Sequence, residues 1–432
     1  MEKILALAKK FAEEAEVFLT SSEMTPVQFE SNRLKNIQNK QSKTIALRII
    51  KNGKTGYATS TSLENRAELV DSAVATAEFG SEAEFQFPSL QKYPRIEIFD
   101  AAVEKVTIEQ MKQLGVELIS RIIKYSPEVT CEASVTKATY DCSIINSRGG
   151  QANYRQSVFG LSIEGSLIRG TDMLFVGDYD ASCHPILSSD TIAKTVIRQL
   201  ERAKNQASIV TKPMPVIFTP DGIASSLIIP LMSAFNGKTV LEGASPIGDK
   251  LGKQVFDKKL NIRDDATIPY CPASQPCDDE AVPCQLTPLI TSGTINNFLY
   301  DLQTAAKAKT KSTGNGHRQG GLPTPSLHAF VITPGTISFD DMVKSVDEGL
   351  VVEQLLGAGQ GNMLGGDFSG NVLLGFKIEK GEIVGRVKDT MVSGNIYQLL
   401  KDISVIGSDV KWINGMLNTP SILFTNVSVA SH

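Results

Sequence analysis

Apolar positions in the first half of the chain switch between two periods. Ile4, Leu7, Ala8, Phe11 and Ala15 recur at helical spacing and predict an amphipathic opening helix. Strands are predicted over Glu16 to Thr20, Val27 to Ile37 and Thr44 to Ile50, the last being the most apolar. Lys51-Asn52-Gly53-Lys54 carries the asparagine–glycine signal of a tight hairpin, with Thr55 to Thr61 as the returning strand. Leu63 to Phe79 predicts a helix with Leu69, Ala73 and Ala77 on one side. The short turns predict antiparallel pairing.

Ser81 to Phe99, with Pro88 and Pro94, predicts a linker. Thr107 to Tyr125 predicts a helix capped by Thr107, with Met111, Leu114, Leu118 and Ile122 in its apolar stripe. Glu128 to Asn146 and Ala152 to Ile168 predict long strands around the turn Arg148-Gly149-Gly150, and Ser188 to Ala207 a helix capped by Ser188 or Ser189. Pro213 and Pro215 then mark a boundary near residue 210, giving domains 1–210 and 211–432.

Beyond it, Val216 to Thr219 predicts a short buried strand, and Asp221 a cap for a helix running to Phe235. Gly237 to Pro283 predicts mostly loop. Short strands follow over Gln285 to Thr291, Thr294 to Leu299, Leu327 to Thr333, Leu350 to Leu356, Asn371 to Glu379 and Glu382 to Val387, with a turn at Lys380-Gly381 and a short helix at Asn395 to Asp402. The expected fold is α+β: an antiparallel sheet with packed helices, then a strand-rich curled sheet or partial barrel.

Composition narrows the function. The 432 residues carry 43 basic and 47 acidic side chains. That balance, with 6% aromatics, weighs against direct nucleic-acid binding, which favours a basic excess or stacking aromatics. Ile223 to Phe235 is the best apolar stretch, too short and too serine-rich to span a membrane. The opening residues lack the basic and apolar regions of a signal peptide, so the expected location is the cytoplasm, with the six cysteines as thiols.

The candidate chemistry is scattered. His184, His317, His328 and His432 form no helical ligand pair, though distant histidines can converge in space. Cys271, Cys277 and Cys284 are spaced too widely for a zinc ribbon. Asp278-Asp279-Glu280 offers either a cation site or a solvated turn. Gly357 to Asp367 invites a phosphate-cradle reading, but no helix pattern follows it and no Gly-Lys-Ser/Thr is present. Lys307 to Gly321 mixes cations with small residues, suiting a carboxylate, a phosphate, a peptide backbone or only solvent.

Several segments, in order, resemble the TldD/PmbA family, also described as modulators of DNA gyrase. They are Gly248-Asp249-Lys250-Leu251-Gly252, Asp278-Asp279-Glu280-Ala281-Val282, Lys311-Ser312-Thr313-Gly314-Asn315-Gly316, Gly349-Leu350-Val351-Val352, Gly366-Asp367-Phe368-Ser369-Gly370-Asn371 and Val405-Ile406-Gly407-Ser408-Asp409. Weaker likeness runs through Phe29-Glu30-Ser31-Asn32, Arg48 to Gly56, and Asn146-Ser147-Arg148-Gly149. Ala281 departs from the family's glycine. The TldD-like branch carries a zinc-binding HExxxH on the helix that opens the second domain. Here that stretch reads Ile228-Ile229-Pro230-Leu231-Met232-Ser233, so the chain resembles the PmbA/TldE-like branch.

The resemblance implies a subunit of a heterodimeric metallopeptidase that degrades unfolded peptides and matures leader peptides. Zinc would belong to a TldD-like partner, with no cofactor or metal in this chain and no catalytic residue assigned to it. A homodimer is expected when the chain is alone. Peptide contacts are expected at Gly314, Asn315, His317, Asp367 and Ser369. The alternatives are a self-sufficient peptidase, for which His317, His328 and Asp367 would have to converge, and a regulatory or binding protein of the gyrase-modulator type.

Overall fold

The computed structural model describes residues 1–62, 64–226 and 228–431. Leu63 and His432, singled out above, and Leu227 within the predicted 221–235 helix lie outside the described residues. Asn52 and Gly53 take left-handed backbone angles (φ 51° and 72°). They close the hairpin of β3 (Lys40–Lys51) and β4 (Lys54–Ser60). The first sheet also contains β1 (Glu14–Glu30), β2 (Arg33–Ile37), β5 (Thr130–Asn146), β6 (Gln151–Arg169) and β7 (Asp172–Ser182). Its order is β4-β3-β1-β5-β6-β7, all antiparallel, with β2 paired to β1.

Two sequence expectations change here. Glu16–Thr20 and the start of Val27–Ile37 belong to one continuous strand, β1. The second segment breaks at Ser31 and Asn32, both at positive φ, where the chain turns into β2. Strand β7 was not predicted: Gly170, Asp172, Gly177, Asp178 and Asp180 interrupt its apolar pattern.

Side chains along β1 and β3 point alternately to two faces. Val17, Ile45, Leu47 and Ile49 pack under the helices Glu2–Ala8 and Arg66–Ala77. Gly56 permits that close approach: a Cβ there would lie 2.2 Å from the Ala73 carbonyl oxygen. Glu16, Phe18, Ala46, Arg48 and Ile50 lie on the opposite face, and all are buried. Phe18 and Ala46 share a cluster with Cys277 and Ala281, so this face is covered by loops from the second half.

The helices Ile108–Tyr125 and Asp190–Arg202 cover the far part of the sheet. Thr107 and Gln110 form a reciprocal capping box on the first. Ser188 Oγ accepts from the Asp190 amide at the start of the second. Their apolar stripes share one core with Val351, Leu374, Phe376 and Leu423.

Those last residues lie on three of five strands that close into a ring: Lys212–Phe218, Glu348–Leu356, Asp367–Glu379, Thr390–Asn395 and Ile422–Ser431. The first two pair in parallel and the other pairs are antiparallel. Val216, Phe218, Leu350, Val352, Phe368, Val392 and Phe424 share the second large core. The partial barrel is therefore a closed one, and the strand that completes it, Ile422–Ser431, was not read from the sequence. A separate mixed sheet of six short strands includes Ile262–Asp265 and Phe330–Ile332. Asp221 does not cap its helix. Thr219 Oγ1 accepts from the Gly222 amide at 3.3 Å, and the Asp221 carboxylate bonds Lys411.

Candidate functional site

The charged face of β1 and β3 is where three of the family-like segments meet. Arg48 interrupts the apolar stretch Ile45–Ile50 of β3, between Leu47 and Ile49. Its Nη1 lies 2.6 Å from Glu280 Oε1 and its Nη2 lies 3.0 Å from Glu16 Oε1. The guanidinium carbon lies 4.9 and 4.8 Å from the ring centres of Phe85 and Phe87. Arg318 Nη2 reaches the same Glu16 oxygen, and its guanidinium covers Phe18. Two carboxylates and two guanidiniums thus balance inside the protein. Burial pushes the Glu16 carboxyl up, while Arg48 and Arg318 oppose that shift.

The acidic run is not a solvated turn, and among the described residues it is part of no group of three side chains placed to hold a cation. Cys277 and Pro283 pair across a tight loop. Inside it Asp278 Oδ1 accepts from the amides of Glu280 (3.0 Å) and Val282 (2.9 Å), and Oδ2 from that of Gly316 (2.9 Å). Asp279 Oδ2 accepts from the Arg318 amide at 2.8 Å. Glu280 Oε2 accepts from the Leu302 amide at 2.7 Å, where the helix Leu302–Lys307 begins. The two loops are zipped by carboxylates. Ala281 has φ 58°, a left-handed angle that favours glycine.

His328 lies behind this pair of loops. Its Nδ1 lies 3.3 Å from Asp264 Oδ2 and 3.0 Å from Asn315 Nδ2. Its Nε2 lies 3.0 Å from Gln275 Nε2 and 3.3 Å from Cys284 Sγ. Cysteine, histidine and aspartate in series resemble a nucleophilic triad. Burial pushes the Cys284 thiol well up, with Asp278 adding to it, and the thiol lies 3.3 Å from the Gly314 carbonyl. A protonated, buried thiol is a packing group rather than a nucleophile.

The expected peptide contacts fall into two groups. Gly314, Asn315 and His317 share one segment. Gly314 (φ 74°) faces Pro283, where a Cβ would lie 2.5 Å from the carbonyl oxygen. Asn315 Nδ2 donates to Asp264 Oδ2 at 2.7 Å and to the Ser326 carbonyl at 2.9 Å. The His317 ring centre lies 4.7 Å from that of His328. Asp367 and Ser369 stand exposed on the barrel, opposite Asn395 and Ser393, and Asp367 Oδ1 accepts from Asn395 Nδ2 at 2.8 Å. No hydrogen bond or ion pair among the described residues joins the two groups. His317 and His328 converge, but with Asp279 and Asp264 rather than Asp367.

Sequence reasoning assigned no role to Glu16, Arg48 and Asp264, and named Arg318 only within the cation-bearing segment 307–321. For the first two a signal existed: charged residues inside strands whose neighbours are apolar on both faces.

His317 titrates in a predictable direction. Burial, with His328 adding to it, lowers the imidazole to about 3. The folded value lies below the unfolded value of ~6.5, so the unfolded chain binds more protons between the two. The resulting stability is present above pH ~6.5 and is lost as pH falls toward 3. By roughly pH 5 the loss is about 2 kcal/mol. His317→Gln takes up no proton and removes that part, as urea unfolding at about pH 7 and about pH 5 will show. Identical pH dependence in the two proteins would refute the assignment.

Two cavities border these segments. A groove of about 340 Å³ runs between the helix Ile228–Ala234 and the strand Thr324–Pro325, lined by Ile229, Met232, Leu299 and Gln319. A pocket of about 490 Å³ joins Ile247 and Lys250 to Gly365, Asn395 and Tyr397. The Tyr397 hydroxyl donates to the carbonyls of Leu364 (3.1 Å) and Pro230 (3.2 Å), tying the glycine-rich turn to that helix.

A closed barrel beside a large antiparallel sheet defines the fold, and comparison with known proteins places it. The family model described as the PmbA/TldA metallopeptidase C-terminal domain matches residues 211–431, and the model for domain 1 matches residues 15–77. The chain belongs to this PmbA/TldD family. An uncharacterised protein of Methanocaldococcus jannaschii is 26% identical over 431 residues, covering 98% of both chains. A metalloprotease PmbA homologue of Haemophilus influenzae is 25% identical, over 99% of this chain and 94% of that protein. In fold, TldE from Thermococcus kodakarensis superposes with a TM-score of 0.90 over the whole of both chains, at 24% identity.

The family's metallopeptidase name raises the question of a metal. The helix Ile228–Ala234 bears no His, Asp, Glu or Cys. Among the described residues, no group of three such side chains is placed to hold an ion. The residues present do not fit a zinc site on that helix. Among the described residues no helix is long and apolar enough to cross a membrane.

Proposed function

We propose that this chain is a TldE-like subunit that holds peptide for a TldD-like, zinc-bearing partner and does not itself hydrolyse it. The observation that carries the reading is the helix Ile228–Ala234, where isoleucine, leucine and methionine stand in place of metal ligands. Unstructured peptides and leader peptides are the substrates, and the cytoplasm is the place of action. Gly314 and Asn315, both buried, hold the segment that carries His317 and leads to Gln319 at the rim of the groove beside that helix. Asp367 and Ser369 supply polar groups from the barrel. In the absence of the partner, a second copy of the chain takes its position.

Hydrolysis of an unstructured peptide by the purified chain, alone and with a TldD-like partner, each with and without chelator, tests the reading. Activity is expected only in the mixture and is abolished by the chelator. Chelator-sensitive activity from this chain alone would sink it.

A further inference from the structure

A larger groove, of about 720 Å³, lies elsewhere, between the first sheet and the barrel. That volume is in the range of ligand-binding clefts. One wall is the outward face of β5, β6 and β7. There the register sets Glu132 opposite Glu164, and Glu164 opposite Gly177. The other wall comes from the barrel strands Glu348–Leu356 and Asp367–Glu379 and from Ile413 and Asn414.

Glu132 and Glu164 stand on the outward face, Asp221 and Glu353 join the lining from the second half of the chain, and among the described residues lining it there is no lysine, arginine or histidine; Asp178, next to Gly177, is buried with its side chain on the other face. Two cations stand behind the walls. Lys411 Nζ lies 2.6 Å from Asp178 Oδ1 and 2.9 Å from Asp221 Oδ2, and Arg202 Nη1 lies 3.5 Å from Glu353 Oε1. Glu132 and Glu164 are both exposed, and like charges directly opposite on neighbouring strands repel. Burial lifts the Asp221 and Glu353 carboxyls, and the neighbouring carboxylates add to both shifts.

The lining is not acidic throughout. Phe175, Leu373, Leu374 and Ile413 give the two walls an apolar strip, and Thr130, Ser162 and Gln354 add neutral hydrogen-bonding groups. Lysine and arginine side chains lay their stems on apolar surface and hold their charged heads among polar groups. The groove offers both. The geometry points to a docking groove for an extended, Lys/Arg-bearing stretch of polypeptide. A small inorganic cation would leave the apolar strip unused, and an anionic ligand would meet the carboxylates.

This inference rests on the chain handling polypeptide, as proposed above, but binding alone tests it. Its failure leaves partner-dependent hydrolysis standing, and the reverse also holds. The probes are three labelled, unstructured peptides of equal length, one rich in lysine and arginine, one with glutamine and one with glutamate at those positions. Fluorescence anisotropy with the full chain should show the basic peptide bound at least about tenfold tighter than the acidic one. Raising salt from about 50 to about 300 mM should weaken it severalfold. The double variant Glu132→Gln/Glu164→Gln should weaken it about fivefold while its thermal midpoint holds or rises, since a repulsion is removed. Glu109→Gln, on the exposed face of the helix Ile108–Tyr125, should change nothing. Equal affinity for the three peptides, or an unaltered affinity in the folded double variant, would overturn the inference.

Discussion

Arg48→Met is expected to lower the unfolding free energy by about 3–5 kcal/mol, to be checked by urea unfolding, because it strands buried charge. Glu16 and Glu280 are both fully buried, and each loses a guanidinium partner at 2.6–3.0 Å. Arg318 still reaches Glu16, so Glu280 is the residue left without a cation. Adding Glu280→Gln to Arg48→Met should therefore recover at least half of the loss, because one carboxylate and one guanidinium then remain. If the double variant is no more stable than Arg48→Met, lost packing against Phe85 and Phe87 is responsible and the charge argument fails.

Asp278→Ala is expected to cost about 3–4 kcal/mol through a different cause, the loss of acceptors. One carboxylate serves three backbone amides, and one of them, that of Gly316, belongs to the neighbouring loop. Without it the loop carrying Gly314, Asn315 and His317 is released from the acidic run. Hydrogen exchange at the Glu280, Val282 and Gly316 amides should speed up together. Asp278→Asn keeps Oδ1 as an acceptor and should cost less than half as much. Equal losses in the two variants would show that the charge, and not the acceptor count, holds the loops.

These two residues differ in how visible they are from sequence. Asp278 lies in a family-like segment, so its importance is legible, although its role is not. A run of three acids reads as solvated by default, and only the approach of Gly316 and of β3 shows it buried. Arg48 shows itself by breaking an apolar strand, but its partners stand 32 positions before it, at Glu16, and far along the chain, at Glu280. Local pattern carries no information about such pairs.

The glycine-rich segment teaches the same lesson. Gly366 needs its positive φ of 81°, and a Cβ there would lie 2.4 Å from the Tyr397 ring. That explains this glycine as a packing requirement.

Local order was fixed by the sequence alone. Hairpin turns at Asn52-Gly53 and Lys380-Gly381, the capping box at Thr107 and the apolar stripes all follow from short-range sterics and hydrogen bonding, which act within a few residues. The α+β class followed from them, and the family likeness from the order of the matching segments. Tertiary structure alone decided the closure of the barrel by Ile422–Ser431, the grouping of Glu16, Arg48, Glu280 and Arg318, and the separation of Gly314–His317 from Asp367 and Ser369. Those depend on contacts between distant segments, where burial removes water and turns isolated charges into partners.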